Sequence, residues 1–142
     1  MYIGETGLEH LWDKIKSLVS SSSGGVTPAD YVVETGTEVK GDCNPWYWEK
    51  WNSGKAIAWC HSSVGSTGQG GTINSWKYRK VTYDFPTGLF TSAPMTLVNA
   101  KWGTGYSWGT SREITATSFA TMYFANGAGA LDFSFYAVGR WK

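Results

Sequence analysis

Residues 46–60, WYWEKWNSGKAIAWC, place four tryptophans and a tyrosine around one Asn-Ser-Gly turn. This is the pattern of an aromatic β-hairpin. Cross-strand aromatic pairs stabilise neighbouring strands, and Gly54 can adopt the positive φ that a three-residue loop with a G1 bulge requires. With Asn52, Ser53 and Gly54 as the loop, Tyr47 opposes Trp59 and Glu49 opposes Ile57, while Trp46, Trp48 and Lys50 share the other face with Ala56, Ala58 and Cys60. Large side chains then oppose small ones on that second face. A two-residue turn at Ser53-Gly54 would instead oppose Trp48 to Trp59; the residues of the hairpin alone accommodate both registers.

Outward from the hairpin the pattern remains β. Residues 30–35, 76–85, 95–100, 113–117 and 118–125 read as further strands, punctuated by Pro86-Thr87-Gly88 and Ser92-Ala93-Pro94. The last strand alternates cleanly, with Leu131, Phe133, Phe135, Ala137 and Trp141 on one face and Asp132, Ser134, Tyr136 and Arg140 on the other. Short strands with Gly-rich turns and no βαβ alternation predict a mainly β protein, an antiparallel β-sandwich. Two connections exceed ordinary hairpin loops. Residues 62–75, SSVGSTGQGGTINS, read as a flexible segment, and residues 103–112, GTGYSWGTSR, as a loop suited to recognition.

At the other end, Thr6 and Glu9 form a capping box, and Leu8, Leu11, Trp12, Ile15, Leu18 and Val19 recur at helical spacing. One short N-terminal α-helix is expected within residues 1–19. Its seam of Leu8, Leu11, Ile15 and Leu18 runs for two heptads, too short for a stable coiled coil by itself. It must lie on the domain's own sheet or meet two copies at an oligomer axis; the Ser- and Gly-rich linker at 20–29 favours the oligomer, leaving 30–142 as the sandwich.

The 142 residues suffice for one domain with an appendage and for a core that needs neither disulfides nor metal. Charged residues are 16% of the chain, against about 25% in average soluble proteins, and aromatics are also 16%. A net charge of +1 provides no basic stripe for a phosphate backbone, which argues against nucleic acid. Nothing resembles a signal peptide or a membrane span, so synthesis and retention in a cytoplasm until release are expected, with no membrane insertion. Cys43 lies in a polar loop and Cys60 ends a strand; a disulfide is open to them, but the reducing compartment expected here makes two unpaired thiols the expectation. With His10 on the helix and His61 beside Cys60, the pair makes a poor zinc site; no metal or cofactor is expected.

The segments DYVVETG, WYWEKWNSGKAIAWC, the Phe85-Pro86 step and the terminal SFYAVGRWK together resemble the C-terminal modules of tail fibre and baseplate receptor-binding proteins of phages and prophages of Gram-positive bacteria. Those modules pair a W-x-x-K-W-x-x-G hairpin with an A-x-G-x-W closing strand; Trp48, Lys50, Trp51, Gly54, Ala137, Gly139 and Trp141 correspond in type. The N-terminal GLEHLWDKIKSLV is similar to the short helix that precedes such modules. The resemblance implies a homotrimeric sandwich similar to the H-type lectin fold, located in a virion tail and binding a bacterial cell-surface polysaccharide. With the helix so near Met1, a separate small tail component or an excised tip is implied. The sugar-binding residues of these modules vary, and none transfers.

Trp46, Trp48, Trp51 and Trp59 are expected to serve core or inter-subunit packing. Trp102, Tyr106 and Trp108, flanked by Gly103, Gly105 and Gly109, suit a stacking platform for the apolar face of a pyranose, with Arg112 and Asn126 as polar partners; a subunit contact is the competing reading. Catalysis is not expected. Asp42, Glu49, Asp84, Glu113 and Asp132 show no spacing that selects an acid pair, and no nucleophile elbow occurs. Two other functions remain open: a structural tail component that binds only other tail proteins through the helix seam, and a barrel holding a small apolar ligand in a deep cavity.

Overall fold

The computed structural model describes residues 29–64, 70–103 and 105–142. The expected N-terminal helix and most of the linker lie outside these residues. Among the described residues there are nine antiparallel strands: β1 (Val32–Lys40), β2 (Cys43–Trp51), β3 (Lys55–Val64), β4 (Gly71–Ile73), β5 (Trp76–Asp84), β6 (Met95–Lys101), β7 (Ser107–Arg112), β8 (Ser118–Ala125) and β9 (Leu131–Arg140). They form a five-stranded sheet in the order β1-β2-β3-β9-β6 and a four-stranded sheet in the order β4-β5-β8-β7.

The β2–β3 hairpin adopts the three-residue register. Tyr47 pairs with Trp59, Glu49 with Ile57 and Trp46 with Cys60, and Gly54 sits at φ +88°. Small residues opposite large ones leave room for Trp46, which is wholly buried. Its ring lies 6.1 Å from Phe135 of the same sheet and 6.3 Å, edge-on, from Phe119 of the other. Its Nε1 finds no hydrogen-bond partner among the described residues, so ring contacts hold it. β9 is buried at Leu131, Phe133, Phe135 and Ala137 and exposed between them, as its alternation requires.

The two sheets meet through a continuous stack of rings. Phe119 lies 5.0 Å from Phe135 and 4.8 Å from Phe85, and Tyr123 stacks on Phe133 at 4.8 Å. The buried hydroxyls of Tyr83 and Tyr123 are hydrogen-bonded to each other at 3.2 Å, and burial, above all, raises both phenol pKa values beyond the usual range. Edge strands β6 and β7 close one side of the sandwich: Ser107 Oγ donates to Ala100 O at 3.1 Å and Ser111 Oγ to Thr96 O at 2.9 Å.

Several expectations are corrected. Cys43 and Cys60 form a disulfide, with Cα atoms 5.7 Å apart, inside the range that one bridge spans. The register turns Cys60 into the core, and Cys43, instead of lying in a polar loop, starts β2 fully buried. Residues 113–117 turn instead of forming a strand: Glu113 has φ +49°, and Thr115 Oγ1 accepts the N–H groups of Thr117 and Ser118 at 3.2 and 3.0 Å. Most of the expected 103–112 loop is strand β7, and the 62–75 segment contains the end of β3 and all of β4.

Candidate functional site

The structure divides the five residues expected to bind sugar. Trp102 is half-buried against the core. A Cβ at Gly105, Gly127 or Gly129 would collide with its ring, so these glycines are what allow the backbone to close around it. Asn126 braces the same loop. Its Oδ1 accepts the Tyr106 N–H at 2.9 Å, and its own N–H donates to Tyr106 O at 3.1 Å. Tyr106 projects from this brace with 76% of its surface exposed. Trp102, Tyr106 and Asn126 are therefore brought together, with only the Tyr106 ring largely free.

Trp108 belongs to a different neighbourhood. It lies on the outer face of the second sheet, stacked on Phe124 at 5.0 Å and edge-on to Trp76 at 4.5 Å, and is 42% exposed. Arg112 is on the same face of β7 but four residues away, about 13 Å along a strand. Beyond it, Lys80 Nζ contacts Glu113 Oε1 and Oε2 at 2.6 and 2.7 Å. That contact, the first cause, holds the Glu113 carboxyl below its ordinary pKa.

The outer face of the first sheet carries a second set of aromatic rings, among them Trp59, which hairpin reasoning assigned to packing. Thr37, Tyr47, Trp59, Tyr136 and Leu97 are successive cross-strand partners over all five strands. Tyr47, Trp59 and Tyr136 are 44, 38 and 41% exposed. Tyr47 and Trp59 are near-parallel with centroids 5.9 Å apart and, with Thr35, Thr37 and Glu49, line a shallow groove. Two residues further along the strands the same face becomes polar. His61 pairs with Ser134 and Asn99 with Ser134, then Asp132 with Lys101. His61, Asn99, Lys101, Asp132, Phe133 and Ser134 line a depression of about 200 Å³. Two clues to this face were present in the sequence: the Tyr47–Trp59 pairing of the three-residue register, and the solvent face of β9 bearing Asp132, Ser134 and Tyr136. The missing fact was that β3 and β6 flank β9.

Among the described residues no group of three His, Cys, Asp or Glu side chains converges as a metal centre, and no helix is long and apolar enough to cross a membrane.

Two antiparallel sheets facing one another across a ring-filled core define the chain as a β-sandwich. The particular similarity is to an N-truncated R1-type pyocin tail fibre, with a TM-score of 0.54 and 12% identity over 87% of this chain and 95% of that one. A C-terminal fragment of the P. aeruginosa R1 pyocin fibre also aligns, with a TM-score of 0.48 and 15% identity over 75% of this chain and 28% of that one. At 12% identity the similarity to the first of these is one of fold. No family model matches the chain, nor does any curated protein.

Proposed function

We propose that this chain is a receptor-binding module of a phage-type tail fibre that recognises a bacterial cell-surface glycan without catalysis. The observation that carries the reading is the fold shared with the R1-type pyocin tail fibre along nearly the whole length of both chains. In this reading the protein is a virion tail component and a homotrimer of H-type-lectin-like sandwiches. Leu8, Leu11, Ile15 and Leu18 join the copies to one another or to other tail or baseplate proteins. Each glycan contact is weak, and several sites on one particle convert weak contacts into attachment through effective concentration. Tyr106 and Trp108 present rings to the sugar, with Arg112 at the far end of β7. A deep apolar ligand cavity fits less well, because Trp46, Phe85, Phe119, Phe133 and Phe135 fill the space between the sheets.

The test is retention of the labelled chain on a panel of whole bacterial cells and their purified surface polysaccharides. Retention is expected on a subset of strains, and Tyr106→Ala, which removes a ring that little else contacts, is expected to abolish it without shifting thermal unfolding. Retention on no strain would overturn the function, and undiminished retention of the variant would overturn the role of Tyr106.

A further inference from the structure

The polar depression on the outer face of the first sheet has a composition that a purely structural surface does not need. Its six lining residues come from β3, β9 and β6, three adjacent strands in the interior and at one edge of the five-stranded sheet. Alternation along each strand directs His61, Ser134, Asn99, Asp132 and Lys101 outward together. Every kind of hydrogen-bonding capacity is present within it. Asp132 only accepts, Lys101 only donates, and Asn99, Ser134 and His61 do both. His61 Nδ1 lies 3.3 Å from Ser134 Oγ, which orients the imidazole and leaves its second nitrogen available.

Asp132 and Lys101 face one another in the β6–β9 register, yet neither belongs to an ion pair among the described residues. Both charges therefore keep their capacity for a ligand. Together they sum to zero, so an anion meets Asp132 and a cation meets Lys101 unfavourably, and a neutral ligand with alternating donors and acceptors is preferred. One register step away stand the half-exposed rings of Trp59 and Tyr136. Sites of drug-sized ligands run from roughly 300 to 1,000 Å³, so a depression of about 200 Å³ admits one small ring and not a buried chain. Apolar C–H faces to set against aromatic rings, hydroxyls on both edges, no net charge and the size of a single ring describe a neutral pyranose.

We infer that this depression is a binding subsite for one neutral pyranose residue of a glycan, with Asn99, Asp132, Lys101 and His61 bonding its hydroxyls and Trp59 and Tyr136 flanking it. The inference rests on the glycan-binding reading above and places a second contact on the outer face of the first sheet, whereas Trp108 lies on β7 of the second.

The experiment is an amide-resolved NMR titration of the full 142-residue chain with glucose, galactose, rhamnose and N-acetylglucosamine in turn. Alongside it, the Asn99→Ala and Asp132→Asn variants are assayed for retention on cells and polysaccharide. Saturable shifts at the amides of residues 61, 99, 132 and 134 and at the Trp59 indole are expected with at least one sugar. Each variant should weaken that binding about tenfold or more while its spectrum retains the folded dispersion. Shifts confined to residues 102–108, or none, with wild-type retention in both variants, would overturn this subsite and leave the glycan-binding reading standing. Loss of retention by the unmodified chain would remove that reading and the subsite with it. A solution mass that falls on Trp59→Lys, with no sugar-dependent shifts, would assign the face to a second copy of the chain and overturn the subsite.

Discussion

The two faces of the first sheet put their aromatic rings to different use. Inward, Trp46, Phe133 and Phe135 are buried and lie within about 5–6 Å of partner rings. Outward, Tyr47, Trp59 and Tyr136 stand in one cross-strand row with much of their surface exposed. The inner rings are held by the second sheet; the outer ones touch little beyond their own strand neighbours. Aromatic content alone thus says little about role. What separates the outer face is the polar depression beside the rings, because hydrogen-bonding groups next to half-exposed rings offer a ligand two kinds of contact at once.

The largest effect that would break this contrast is inside. Phe135→Ala removes a ring that touches Trp46, Tyr83, Phe119 and Phe133, and should lower unfolding free energy by about 3–5 kcal/mol in denaturant titration. A loss below 1 kcal/mol would show that the stack is not the core. Next is alkaline pH. In the unfolded chain Tyr83 and Tyr123 ionise near pH 10, as free tyrosine does. In the folded chain burial keeps both protonated to higher pH. Above pH 10 the folded state therefore binds more protons than the unfolded one, so stability is complete below that pH. It should fall above it by about 1.4 kcal/mol per pH unit for each tyrosine. Tyr83→Phe should flatten that slope by about half, measured as melting temperature against pH. The smallest effect is outside: Tyr47→Ala should cost only about 0.2–1 kcal/mol, the worth of one cross-strand pair. A cost near that of Phe135→Ala would mean that the outer row is structural after all.

Legibility followed the source of each strand's constraint. The hairpin was readable because its turn is local, but its register was not: the Asn-Ser-Gly loop permits two, and the structure adopts the one that pairs Ala56, Ala58 and Cys60 with Lys50, Trp48 and Trp46. β9 was readable because one face is wholly buried and the other is not. β7 was not. Its inner positions, Ser107, Gly109 and Ser111, lie close against β6, with both serines bonded to β6 carbonyls. A Cβ at Gly109 would crowd Val98. Small polar residues are what such a close edge-to-edge approach demands, and in sequence they read as a loop. The opposite error occurred at 113–117, where β-branched residues suggested a strand but Thr115 bonds the backbone ahead of it and turns the chain.

The candidate site divides along the same line. Trp102, Tyr106, Trp108 and Arg112 were grouped because they lie close in sequence, and Asn126 was added from a later turn; in space Asn126 and three glycines hold the Trp102–Tyr106 loop, while Trp108 joins Trp76 and Phe124. The depression lined by His61, Asn99 and Asp132 draws on residues more than seventy positions apart.

By itself the sequence determined the β class, the turn at Gly54 and the inward face of β9, because backbone sterics and two-residue alternation act within a few residues of chain. The tertiary structure alone decided that Cys43 meets Cys60, that β3, β9 and β6 are neighbours, and which rings face solvent. Those outcomes depend on which strands pair across long stretches of chain, and no local pattern in the residues encodes that pairing.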